Sequence, residues 1–145
     1  MRFMIIAKTT PELEKESALP DPKFIEEMGK YNEELIKAGI VLAMDGLHPS
    51  SKGARVKFSG KSCTVIDGPF TEAKELVAGF WIWRVNSLEE AIEWVKRCPC
   101  PDTGDSEIEI RQIGEMEDFA PVLSEEQIQH KIEGRAQLPN QTANK

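Results

Sequence analysis

The stretch AGFWIWRV, Ala78 to Val85, decides the fold. Strand alternation places Phe80 and Ile82 on one face and Trp81, Trp83 and Val85 on the other. A strand that is apolar on both faces belongs inside a sheet whose two sides are both covered. RFMIIAK, Arg2 to Lys8, has the same character, with Phe3, Ile5 and Ala7 on one face and Met4 and Ile6 on the other. These segments predict the middle of a sheet, and other elements must supply its covers.

Two helices are legible. Asp21-Pro22 offers an N-cap carboxylate and a proline suited to the first helical position, and Phe24, Met28, Tyr31 and Leu35 then recur at helical spacing until Gly39. Ser87-Leu88-Glu89-Glu90 is a capping box, followed by the stripe Leu88, Ala91, Ile92 and Val95 and ended by Cys98-Pro99. Ile40 to Met44 reads as a short strand, and Ala54 to Phe58 and Ser62 to Ile66 as a hairpin around Ser59-Gly60-Lys61. Ser106 to Ile113 is a last strand. Thr9 to Asp21 is a polar connector, and Thr71 is expected to cap a helical turn reaching Glu75, with Glu72, Lys74 and Glu75 as its solvated face.

The order strand, helix, strand, hairpin, strand, helix, strand predicts an α+β protein: a ferredoxin-like split β-α-β with an extra hairpin on an antiparallel sheet. Two helices cover only one face of that sheet. The other face predicts a homodimer with facing sheets, in which Trp81 and Trp83 are expected to form the dimer core. Residues 1–120 make up this domain and 121–145 an extension. There Leu123, Ser124, Gln127 and Ile128 fit a hydrophobic staple and capping box, predicting a short helix striped by Ile128 and Ile132, with a disordered end from Pro139.

The formal charge is −7, and residues 121–145 are neutral, so the whole acidic excess lies in residues 1–120. Such a surface repels phosphate backbones, which argues against nucleic-acid and anionic-membrane partners. No apolar run approaches the roughly 20 residues of a membrane span, MRFMIIAK is too short for a signal peptide, and a cytoplasmic location is expected. Cys63, Cys98 and Cys100 cannot all pair, and Cys98-Pro99-Cys100-Pro101 lacks a second ligand pair at zinc-like spacing, so they read as inert thiols. Neither a Gly-rich phosphate loop nor a nucleophile elbow occurs, so no cofactor or metal is expected. His130 reads as a surface residue of the tail.

Gly46 to Ile66 stands apart, with no acidic residue and with Lys52, Arg55, Lys57 and Lys61. His48 lies near its start. IDGPFTEAKE, Ile66 to Glu75, follows: Asp67 ends an apolar run, Gly68-Pro69 bends the chain, and Phe70 reads as a core plug. The segments GLHPSSKGARVKFSGK, TVIDGPFTEAKELVAGFWIW and SLEEAIEWVKRCP, in this order, resemble the YCII-related proteins, specifically the DGPF subgroup, over about residues 1–113. Thr71-Glu72-Ala73-Lys74 stands where Ala-Glu-Thr-Lys is common in that family. The resemblance implies a dimeric α+β barrel and kinship with muconolactone isomerase-like enzymes, and a His–Asp pair has been proposed as a site in such proteins.

The candidate catalytic pair is His48 as acid or base, oriented by Asp67, since a carboxylate fixes the imidazole tautomer and raises its basicity. Ser50, Lys52 and Arg55 are the candidate substrate-binding residues, the two cations meeting an anionic group. Plainer readings stand beside these. Asp67 can tie its own turn, His48 can be an exposed loop residue, and the lysines can keep an edge hairpin from aggregating. The functions expected are a cofactor-free small-molecule enzyme of isomerase or lyase type, or a non-catalytic small-anion-binding or regulatory module. A third is a structural partner protein acting through the tail helix.

Overall fold

The computed structural model describes residues 1–15, 19–72, 75–100 and 105–139. Its centre is a four-stranded antiparallel sheet of β1 (Arg2–Lys8), β2 (Val41–Gly46), β5 (Val77–Arg84) and β6 (Ile108–Gln112) in the order β2-β5-β1-β6. The strands numbered β3 (Ala54–Ser59) and β4 (Ser62–Asp67) pair only with each other, as a hairpin inserted between β2 and β5. Each β-α-β unit straddles a strand of the other, which is the split arrangement of a ferredoxin-like fold. The two segments apolar on both faces, β1 and β5, are the inner strands, as their composition requires.

Helices α1 (Pro22–Lys37) and α2 (Leu88–Val95) cover one face. The Asp21 carboxylate accepts a hydrogen bond from Lys23 N–H at 3.0 Å, and Ser87 Oγ accepts one from Glu90 N–H at 3.1 Å, so both N-caps form as expected. The covered face carries Phe3, Ile5, Trp81, Trp83 and Val85, packed with Tyr31, Leu35 and Ala91. Here the expectation for the tryptophans is corrected. Trp81 and Trp83 belong to the helix-covered core of a single chain, and Trp83 is wholly buried. Alternation separates the two faces of β5 but does not say which one the helices take. Tyr31 settles that face: its hydroxyl donates to the Trp94 carbonyl at 2.8 Å, and its ring meets Trp81 edge-on at 6.2 Å between centroids.

The opposite face, with Met4, Ile6, Phe80 and Ile82, is only half covered. The hairpin leaves Val56, Phe58 and Val65 exposed, and it projects from the sheet rather than extending it.

Beyond β6 the chain forms a short 3-10 helix, Met116–Val122, that sequence periodicity did not suggest, and then α3 (Glu125–Ala136). The reciprocal capping box of Ser124 and Gln127 is present. Glu115 ties this region to the start of β1: its carboxylate accepts from Nε and Nη2 of Arg2 at 2.7 and 2.9 Å, with Arg135 at 3.7 Å. The Arg2 hydrogen bonds hold the Glu115 carboxyl below its ordinary range. The turn expected from Thr71 to Glu75 includes Ala73 and Lys74, which lie outside the described residues, as does the chain end from 140. Among the described residues no helix is long and apolar enough to cross a membrane.

Candidate functional site

A cleft of about 710 Å³ opens at the end of the sheet where Ala7, Gly79 and Ile108 lie side by side. Small-molecule sites span about 300–1,000 Å³, so its size suits a metabolite. Its apolar walls come from Phe24 and Met28 of α1, Met44 of β2, Trp81 of β5, and Leu13 and Pro20 of the connector. Cys98 and Pro99 close it on the α2 side. Burial, aided by the neighbouring Cys100 thiol, pushes Cys98 up to about 12, so the thiol stays protonated and unreactive.

The polar groups on the lining include Lys8, Thr9, Thr10, Glu14, Asn32, Asp45, His48, Ser106 and Glu107. Each has an identifiable origin. Asn32 lies on α1 one residue beyond Tyr31, and its amide oxygen accepts the Trp81 indole N–H at 2.9 Å, which fixes that ring as a wall. Thr9 is held by its backbone N–H on the Leu76 carbonyl at 2.8 Å. The Leu47 N–H bonds the Ala78 carbonyl at 2.8 Å, so the chain stays on β5 up to the residue before His48. His48 therefore enters at the mouth of the cleft from a fixed backbone, with an exposed side chain.

Glu14, on the lining, fixes the connector. Ser50 begins a single 3-10 turn, Ser50–Lys52, and its N–H donates to both Glu14 oxygens at 3.2 and 3.3 Å. The Ser50 hydroxyl also donates to Glu14. This charge-assisted clamp bridges 36 positions of sequence and draws the connector across the cleft.

Ser50 faces both ways. Its Oγ accepts the Phe70 N–H at 3.0 Å, joining the clamp to the Asp67–Phe70 corner. At that corner the Gly68 N–H donates to the Gly53 carbonyl at 3.0 Å, and the Gly68–Pro69 bond is cis. A methyl group on Gly68 would meet the Ser50 carbonyl oxygen at 1.7 Å, so only glycine fits. The Arg55 guanidinium lies 3.9 Å from the centroid of the Phe70 ring. Phe70, read as a core plug, is instead a half-exposed platform for Arg55 beside the clamp.

The candidate residues thus fall into two places. His48 lines the cleft. Ser50 is the joint, already holding Glu14. Asp67 ends β4 opposite Ala54, with Arg55 and Lys52 near it, and none of these three lines the cleft. His48 and Asp67 share no hydrogen bond or ion pair, and the His48 imidazole makes no side-chain hydrogen bond to any described residue. Glu14, Asn32, Asp45 and the buried Thr9-Thr10 pair went unnoticed in the sequence. Only Glu14 carried a signal, as an acid inside a proline-bounded connector. Among the described residues no group of three or more His, Cys, Asp or Glu side chains converges as metal ligands would.

Comparison with known proteins places the chain in a family. An uncharacterised protein of Rhizobium meliloti (strain 1021) is 28% identical over 90 residues, covering 61% of this chain and 73% of its own length. The family model described as the YCII-related domain matches residues 1–117, which spans the sheet, both covering helices, the hairpin and every residue of the cleft, and stops inside the 3-10 helix before α3. The chain belongs to the YCII-related domain family.

Proposed function

We propose that the cleft is the working site, that it takes up a small and mostly apolar molecule, and that His48 transfers a proton at its mouth. The observation that carries this is the placement of an imidazole on the lining of a metabolite-sized cleft whose walls are largely aliphatic and aromatic. The reaction class is cofactor-free proton transfer of the isomerase or lyase kind, in which a neutral imidazole accepts a proton from the bound molecule and returns it at a second position. Among the charged groups, Glu14, Asp45 and Glu107 outnumber Lys8. A neutral or cationic molecule is therefore better accommodated than a dianion, and Arg55, stacked on Phe70, and Lys52 lie outside the lining.

A binding-only module is the second reading. It is favoured because, among the described residues, no carboxylate is hydrogen-bonded to His48, and a general base is ordinarily held in one tautomer by such a partner.

One experiment separates them. Compounds that raise the melting temperature of the wild type are incubated with the wild type and with His48→Gln, and the products are analysed. A ligand at about 100 times its Kd stabilises by roughly 2.7 kcal/mol. Proton-transfer chemistry expects conversion by the wild type, a loss of roughly 10²–10⁴-fold in His48→Gln, and an unchanged melting shift. Recovery of every ligand unaltered from the wild type leaves the binding module.

The half-covered face of Met4, Ile6, Phe80 and Ile82 supports a second element of the proposal, a homodimer with these faces opposed.

A further inference from the structure

Two surfaces of this chain complement each other but lie apart. The hairpin with its approach carries Lys52, Arg55, Lys57 and Lys61 and, up to Ile66, no acidic residue. The tail from Met116 to Glu126 carries Glu117, Asp118, Glu125 and Glu126 and no basic residue. Among the described residues none of these eight takes part in an ion pair. Each surface also presents bare apolar side chains: Phe58 is 77% exposed and Val65 64% on the hairpin, and Val122 is 80% exposed and Phe119 44% on the tail.

Topology places them at opposite corners of one sheet. The hairpin leaves from β2, an edge strand, at the end where Gly46 pairs with Gly79. The tail leaves from β6, the other edge strand, at the end where Phe3 pairs with Gln112. When two copies of the sheet face each other, a two-fold axis between them, along the diagonal that avoids both corners, carries each hairpin corner onto the partner's tail corner. The strands of the two sheets then cross steeply, as in orthogonal packing.

We propose that the acidic tail, Met116 to Glu126, is the docking surface for the basic hairpin of a second copy of this chain. The contact rests on the homodimer proposed above and adds to it a specific pair of surfaces, formed twice by symmetry. Val56, Phe58 and Val65 pack against Phe119 and Val122, with Lys61 of the hairpin turn at the rim beside the acids and Arg55 and Lys57 on the opposite face of the ribbon. The hairpin is a two-stranded ribbon thinner than the roughly 10 Å screening length at about 0.1 M salt, so cations on either of its faces contribute. Glu115 is not part of the docking charge: Arg2 and Arg135 hold it, and that anchor sets the position of the tail against the sheet. From Asp118 on, the tail lies past the family match, which ends at 117.

The test is a charge exchange read by sedimentation equilibrium on the full chain. Lys57→Glu with Lys61→Glu reverses the hairpin, and Glu117→Lys with Glu126→Lys reverses the tail. Asp118 is left intact because it caps the Glu115 N–H at 2.7 Å. Each reversal alone is expected to raise the dimer dissociation constant by roughly tenfold or more, and all four together to return it to within about threefold of wild type. The wild-type constant is also expected to rise with salt, by roughly tenfold between about 50 mM and about 0.5 M. Circular dichroism of each variant checks the fold, and the salt series needs no variant at all. A wild type that sediments as a monomer at micromolar concentration overturns the homodimer and the docking together. A dimer whose constant ignores the reversals, or is not restored by the exchange, overturns the docking alone.

Discussion

The cleft and the Asp67 corner meet at Ser50, yet they are built from opposite materials. The cleft has fixed apolar walls, a restrained tryptophan, and polar groups that come from four separate segments of the chain. The corner is local: Gly68 pressed on a carbonyl, Phe70 N–H on a hydroxyl, Arg55 stacked on a ring. The corner is the conspicuous feature of the sequence, whereas the cleft is barely visible there. A motif dense in Gly, Pro and Asp marks a place where the backbone is tightly constrained, and constraint serves scaffolding as readily as chemistry. Here the corner holds Ser50, Ser50 holds Glu14, and Glu14 holds a wall of the cleft.

That contrast can be broken by substitutions on either side. The largest effect is expected from Trp81→Ala, which empties a side chain that is only 7% exposed and frees Asn32. A loss of about 3–5 kcal/mol in urea denaturation is expected, together with loss of ligand uptake by the cleft. Gly68→Ala comes next. The added methyl must displace the Ser50 carbonyl, so a cost of about 1–3 kcal/mol is expected, with the Glu14 clamp loosened. Increased amide exchange in residues 10–15 would report that loosening, and unchanged exchange there would disconnect the corner from the cleft wall.

The smallest effect is expected from Asp67→Asn. The side chain is exposed and pairs with no described group, so stability should change by less than about 0.5 kcal/mol. Turnover, where the wild type shows it, should stay within about twofold. A loss matching that of His48→Gln would instead establish Asp67 as the orienting partner of the histidine.

Much of the fold was legible because it rests on short-range patterns. Asp21-Pro22 and Ser87 to Glu90 announce their helices through local hydrogen bonds, and the apolar alternation of β1 and β5 places them inside the sheet. The strand edges shifted by one or two residues, β2 running to Gly46 rather than Met44, because backbone pairing with Gly79 continues past the last apolar side chain. The cleft was less legible because its parts meet only in three dimensions. His48 could be singled out as a rare residue type beside a basic stretch. Nothing local in TTPELEK, however, shows that Glu14 crosses to Ser50 or that Thr9 and Thr10 are buried. The cover over Trp81 and Trp83 is hidden for the same reason: which face a helix chooses is a long-range property.

The most direct test of the cleft as the working site is amide chemical-shift mapping with a panel of small neutral aromatic compounds, aromatic amines and aromatic carboxylates. Binding at the proposed site perturbs amides of Thr9 to Leu13, Phe24 to Asn32, Met44 to His48 and Val77 to Trp81, with the neutral and cationic members binding better. Perturbations gathered instead on Arg55 to Asp67, and strongest with the carboxylates, would contradict it and return the basic hairpin to the centre of the protein's function.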